Sequence, residues 1–207
     1  MTIFESEVEL VWGELDVPLL GLERDWYGTK VEPAAFALVR DAKRLWFVAH
    51  HRRPAVMHPL ARPGKFQAEL WRYDVAELFV ADSASGRYVE FNLAPNGAWW
   101  ACEFSAPRVP AAAGSGSLPE VATHAELAAD GSWVAALAIP LDWLRARLDF
   151  GPATRTNVTF VLGTPQQRFL SATPLGPAEP DFHVPDRFAT IALMALGGGC
   201  LSAPGGG

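Results

Sequence analysis

The residues best equipped for chemistry lie between Trp71 and Phe104. In Tyr88-Val89-Glu90-Phe91-Asn92-Leu93 apolar and polar residues alternate strictly. A strand with that pattern puts Val89, Phe91 and Leu93 on one face and Tyr88, Glu90 and Asn92 on the other. In the preceding run, Ala76, Leu78 and Val80 form the apolar face, and Glu77 points the opposite way between Val75 and Phe79. The turn-forming Asp82-Ser83-Ala84-Ser85-Gly86 between the two runs predicts a hairpin. Pairing then brings Glu77, Glu90 and Asn92 onto one outward surface. Trp99 and Trp100 open the next run on opposite faces, so one of them joins that surface. Carboxylates accept hydroxyl protons in charge-assisted bonds, and an indole stacks on the apolar face of a sugar ring. The same pattern also describes an ordinary solvated face, and most of the eight tryptophans are expected in the core.

Signatures of catalysis are missing. Gly114-Ser115-Gly116-Ser117 lacks the strand-turn-helix setting of a nucleophile elbow. No Gly-rich phosphate loop and no H-E-x-x-H occur. His50 and His51 are neighbours in a strand and face opposite ways, which disfavours a shared metal. A glycosidase pair is defined by the separation of its carboxylates in space, which spacing along a chain does not give. Binding without catalysis is the expectation.

The elements that must position these groups are mostly strands. Besides Asp74 to Ala81, Arg87 to Leu93 and Ala98 to Phe104, the runs Glu7 to Trp12, Ala35 to Arg40, Leu45 to His50, His124 to Ala128, Trp133 to Ile139, Asn157 to Gly163, Arg168 to Ala172 and Phe188 to Met194 read as strands. Turn residues at Pro95-Asn96-Gly97 and Asp130-Gly131 punctuate them. Many short strands at even spacing predict an all-β antiparallel sandwich of jelly-roll type. Pro140 to Leu148 reads as one short helix plugging an end of it. Alternation puts Leu45, Phe47, Leu78, Val80, Val89, Phe91, Leu93, Leu137 and Ile139 in the core. Ser105 to Pro119 and a tail from Gly197 to Gly207 read as flexible, leaving residues 1–196 as a single domain.

Composition narrows the function classes. The chain has 207 residues, half of them hydrophobic, and a net charge of -6. Its basic residues do not cluster beyond Arg52-Arg53, so no nucleic-acid partner is expected. Its longest apolar runs are too short to span a bilayer as a helix, so no membrane partner is expected. The two cysteines, Cys102 and Cys200, read as reduced thiols. Met1 to Glu7 lacks the basic start and apolar stretch of a secretory signal, and a soluble cytoplasmic chain is the expectation.

Trp71-Arg72-Tyr73-Asp74-Val75-Ala76-Glu77-Leu78-Phe79 resembles the W-x-x-D-x-x-E-apolar-aromatic strand of family 9 carbohydrate-binding modules and their DOMON-like relatives. Tyr88 to Gly97 resembles the strand and P-x-G turn that follow it there, and Leu45 to Ala49 the strand before it. Phe182-His183-Val184-Pro185-Asp186-Arg187-Phe188 resembles the closing F-H-x-P-x-x-F signature. The resemblance runs from about Trp26 to Leu193. It implies a β-sandwich that binds a saccharide or another small polar ligand, with Trp71 as the stacking indole, Asp74 and Glu77 as the motif acids and Arg168 as the later basic position. It marks Asp74, His183, Pro185 and Phe188 as structural. Ser171-Ala172 departs from the pattern where many members carry a second tryptophan after a serine, and Ala189 follows Phe188 where glycine is usual.

The expected ligand-binding set is therefore Trp71, Glu77, Glu90, Asn92, Trp99, Trp100 and Arg168, with no cofactor and no metal. The DOMON side of the resemblance also implies haem held by Met and His, for which Met57, His58 and His183 are candidates. Structural calcium occurs in related modules, though no D-x-D-x-D-G loop is present. An interaction domain that keeps the fold without a ligand is a further alternative.

Overall fold

A computed structural model describes residues 1–82, 84–112 and 120–196. In chain order it contains β1 (Thr2–Glu5), β2 (Leu20–Arg24), β3 (Lys30–Arg40), β4 (Arg44–His51), β5 (Val75–Ala81), β6 (Tyr88–Leu93), β7 (Trp99–Ala106), β8 (Val109–Pro110), β9 (Ala122–Leu127), β10 (Trp133–Pro140), α1 (Leu141–Leu148), β11 (Arg155–Leu162), β12 (Arg168–Ser171), β13 (Ala189–Thr190) and β14 (Ala192–Ala195). The strands form two sheets. One runs β14-β1-β3-β4-β10-β9, with β2 added on β3, and the other β12-β11-β5-β6-β7-β8, with β13 added on β11. The all-β sandwich with one short helix is the observed architecture. Its pairing is antiparallel except where β1 runs parallel to β14 and β3.

The core between the sheets is the one alternation predicts. Phe47, Leu78, Val89, Phe91, Leu93, Leu137 and Ile139 are fully buried, and Leu45 and Val80 nearly so. α1 presses Leu141, Leu144 and Leu148 onto the end of this core. The turns fall where Gly, Asn and Asp sit. Gly97 and Gly131 both have positive φ, and Asn96 Oδ1 accepts the Ala98 N–H at 3.1 Å.

Three expectations about the elements are corrected. Glu7 to Trp12 is not a strand. Ser6 bends the chain by bonding to Val8 at both its N–H and C=O, and the segment becomes a strap fixed by the Leu10 N–H to Asp41. The strap lays Leu10, Trp12, Leu15 and Val17 over the outer face of the first sheet. Phe188 to Met194 is two strands rather than one, because β13 pairs with β11 in one sheet and β14 with β1 in the other. β2, which the sequence pattern does not single out, adds to the edge of β3. Within Ser105 to Pro119, residues through Pro110 form the β7–β8 hairpin. Residues 113–119 and the tail from Gly197 lie outside the described residues.

Candidate functional site

The register of three strands builds the site. Glu77 of β5 stands opposite Asn92 of β6, which in turn stands opposite Trp100 of β7. One step along, Phe79 faces Glu90 and Glu90 faces Cys102. Directly opposed residues point to the same side of a sheet, so these side chains share the face turned away from the inter-sheet core. That alternation is the predicted one. Trp100 joins this face, while Trp99 turns inward and packs against the core, edge-on to Phe66 at 5.2 Å.

The face is not an open outer surface, as the sequence pattern suggests. Glu77 is 3 % exposed, Glu90 4 % and Asn92 0 %. A second apolar cluster joins Phe79 of β5 and Phe104 of β7 to Phe182 and Phe188, which help to roof the polar row. The roof comes from residues 173–188, which are tied down at several points. Trp26 Nε1 donates to the Ala178 C=O at 2.6 Å, Tyr27 Oη donates to Glu179 at 2.9 Å, and Arg187 Nη1 donates to the Leu175 C=O at 2.7 Å. A cavity of about 430 Å³ remains between sheet and roof, lined by Trp71, Glu77, Phe79, Glu90, Trp100, Phe104, Arg108, Val161, Gln167, Phe169, Pro180, Phe182 and His183. That volume falls within the range of small-ligand sites, roughly 300–1,000 Å³.

Trp71 stands at the rim, half exposed. It belongs to a 3-10 turn, Leu70–Arg72, anchored by buried Leu70, and the Gln167 amide donates to its C=O at 3.3 Å. Arg72 lies over its ring, 5.1 Å from the centroid.

The two carboxylates are poorly compensated. Thr159 Oγ1 donates to Glu77 at 2.7 Å. Burial raises the Glu77 carboxyl to about 7, with the Thr159 bond pulling the other way. Burial pushes Glu90 well up too, the Glu77 charge pushes it further, and Asn92 and Arg108 partly offset both. His183 Nε2 is 3.7 Å from Glu90, but burial and then the Arg108 charge hold this imidazole down at about 4, so it is neutral at pH 7. Tyr88 Oη meets His183 Nδ1 at 2.7 Å and accepts the Arg108 N–H at 3.0 Å. Although Asn92 lies near Glu90, neither its Nδ2 nor its Oδ1 has a partner in hydrogen-bond geometry.

Of the expected binding set, Trp71, Glu77, Glu90 and Trp100 line the cavity, and Asn92 stands in the same row beneath it. Arg168 does not join them. In β12 it pairs with Leu162 while its neighbour Phe169 pairs with Val161, so Phe169 and Val161 face the cavity and Arg168 faces away. Its guanidinium donates to Asp25 at 2.8 Å, bracing the turn that also holds Trp26.

The four residues marked structural all have fold contacts. Asp74 accepts the Val56 N–H at 3.2 Å and the Thr164 N–H at 2.9 Å, tying two loops to β5. Pro185 starts a 3-10 turn, Pro185–Arg187, and Phe188 packs 5.5 Å from Phe79. His183 does more than hold the fold, because it also forms part of the cavity wall. Met57 and His58 do not line that cavity, and His58 Nδ1 accepts the Leu60 N–H at 3.1 Å. Among the described residues no group of three or more His, Cys, Asp or Glu is arranged to hold a metal ion.

Sequence reasoning missed most of the aromatic lining. Phe79 and Phe104 carry the same alternation as Glu77 and Trp100 and were legible from it. Phe169, Pro180 and Phe182 come from segments far along the chain, and only the closing signature marks one of them.

No family model matches the chain, and no curated protein matches it. Solved structures do share its fold. A candidate carbohydrate-binding protein from Bacteroides uniformis superposes with a TM-score of 0.69 at 19 % identity, over 94 % of this chain and 98 % of that one. A family 9 carbohydrate-binding module from Caldicellulosiruptor kristjanssonii, in complex with cellotriose, gives 0.61 at 13 % identity over 99 % of both chains. The glucose complex of a family 9 module from the same organism gives 0.61 at 14 % identity, over 95 % and 97 %. The fold is thus that of family 9 carbohydrate-binding modules, and the resemblance in the motifs extends to the three-dimensional structure.

Proposed function

We propose that this chain is a non-catalytic binding module for a saccharide, held in the cavity between the second sheet and its roof. The observation that carries the reading is one face on which Glu77, Asn92 and Trp100 stand in a row, with Glu90 beside them and Trp71 at the rim. A sugar ring stacked on Trp71 would reach the buried acids with its hydroxyls. The shared fold with modules in complex with cellotriose and glucose supports it. Net affinity is modest, roughly micromolar to millimolar, because a solvated sugar exchanges water bonds for protein bonds at little gain.

Titration calorimetry with glucose and cellotriose tests the proposal. Binding by the wild type and at least a tenfold loss in Trp71→Ala is the expected result. An absence of heat with every neutral or charged saccharide at millimolar concentration would reject it.

A further inference from the structure

We propose that the cavity is built to receive an ammonium group, so that its preferred saccharide is an amino sugar; the sugar part of this inference rests on the function proposed above. The first support is the aromatic lining. Trp71, Phe79, Trp100, Phe104, Phe169 and Phe182 border the cavity, and the negative faces of such rings attract a cation within about 6 Å. The second support is the pair of acids. Glu77 and Glu90 are 3 % and 4 % exposed, and among the described residues neither is bonded to a lysine or arginine. A buried anion without a counter-charge is costly, and a cation brought by a ligand removes that cost.

Charge on the other lining groups does not meet the demand. Arg108 also borders the cavity, but its side chain is 60 % exposed and its Nη2 is committed to Asp181 at 2.9 Å. His183 is neutral at pH 7. Asn92 does not add to this demand, because its amide is fully buried in the row between Glu77 and Trp100, beside Glu90, and does not border the cavity. An amine satisfies the acids and the rings together.

Protons supply a second readout. The acid pair is held protonated in part at pH 7, so an entering ammonium must displace a proton, and a neutral sugar need not. The groups packed about the pair are Thr159, Asn92, Cys102, Tyr88, Arg108, Asp181 and His183, and none of them takes up that proton at pH 7.

Calorimetry at pH 7 with glucosamine, glucose, N-acetylglucosamine and choline, each in two buffers of different ionisation enthalpy, tests the inference. The expected result is glucosamine binding at least tenfold tighter than glucose or N-acetylglucosamine, with proton release for glucosamine only. Glu90→Gln and Glu77→Gln, which keep shape and relieve a buried charge, should abolish the preference while retaining the thermal transition. Choline binding without any sugar would uphold the ammonium site and remove the saccharide. Equal affinity for glucose and glucosamine would overturn the ammonium inference and leave the saccharide function intact. Binding of no probe would overturn both.

Discussion

Two titrating groups in the cavity pull stability in opposite directions with pH. The Glu77 carboxyl is raised by burial from 4.5 to about 7 in the folded chain. Its contribution is therefore fully present below pH 4.5 and is lost as pH rises to about 7. His183 is lowered from 6.5 to about 4, first by burial and then by Arg108. Its contribution is present above pH 6.5 and is lost as pH falls to about 4. The two largely offset each other in the wild type. Thermal melts across pH 4 to 7 on single variants should separate them. Glu77→Gln should gain stability as pH rises, through His183, although Glu90 still opposes it. His183→Gln should lose stability over the same range. Parallel profiles for the two variants would mean that these groups do not titrate as their surroundings require. A second residue-scale expectation concerns Asp74, whose carboxylate accepts N–H groups from two separate loops. Asp74→Ala leaves both donors unmet and should cost about 1–3 kcal/mol in urea unfolding without any ligand present. An unchanged midpoint would assign Asp74 to ligand contact instead.

At the scale of elements, legibility tracked the range of the interactions involved. β5 and β6 were readable because β6 alternates without interruption, β5 carries one polar residue, Glu77, and a short turn fixes their register, so a single parity decides which side chains face the cavity. β12 was not readable in that way. It has four residues, and its parity depends on which residue meets Leu162 of β11, which no local pattern states. Arg168 entered the expected set through the motif resemblance rather than through parity, and Phe169 takes the cavity position. The strap was missed because Glu7 to Trp12 has strand-like composition, while its fate is decided by Asp41, 31 residues away from Leu10. Turn chemistry was the most legible level. Gly131 has φ of 86°, and a Cβ built there would come within 2.3 Å of Pro54 Cγ. Gly131→Ala should therefore destabilise the β9–β10 hairpin by more than the roughly 1 kcal/mol of a strained φ alone. Chemical denaturation of this variant beside Gly28→Ala, which has positive φ but open space, isolates the steric part. Equal losses in the two would show that Pro54 moves aside freely.

Taken as a whole molecule, the sandwich treats its two outer faces differently. On the first sheet the strap covers Trp46, Val48, Ala136 and Ala138, and His124 is stacked between Trp12 and Trp46 at 5.3 and 5.8 Å. That face is sealed by a segment of the chain itself. On the second sheet the roof stops short of the acid row and leaves the cavity, with Trp71 half exposed at its edge. The shared inter-sheet core separates the two faces, so stability and ligand binding are set by different tryptophans. Trp12→Ala removes a ring that holds the strap in place, and a part-buried indole of this kind should cost about 1–3 kcal/mol. It touches nothing that lines the cavity and should leave the affinity for saccharide unchanged. Trp71→Ala should do the reverse. A half-exposed rim residue contributes little to the fold, within about 0.5 kcal/mol, yet its ring is the stacking surface for the ligand. Melting temperature and calorimetric affinity measured on both variants form a two-by-two comparison. A large fall in affinity in Trp12→Ala would show that the sealed face communicates with the cavity through the core. A large fall in melting temperature in Trp71→Ala would show that the rim indole is a packing residue, and the stacking surface would then have to be Trp100.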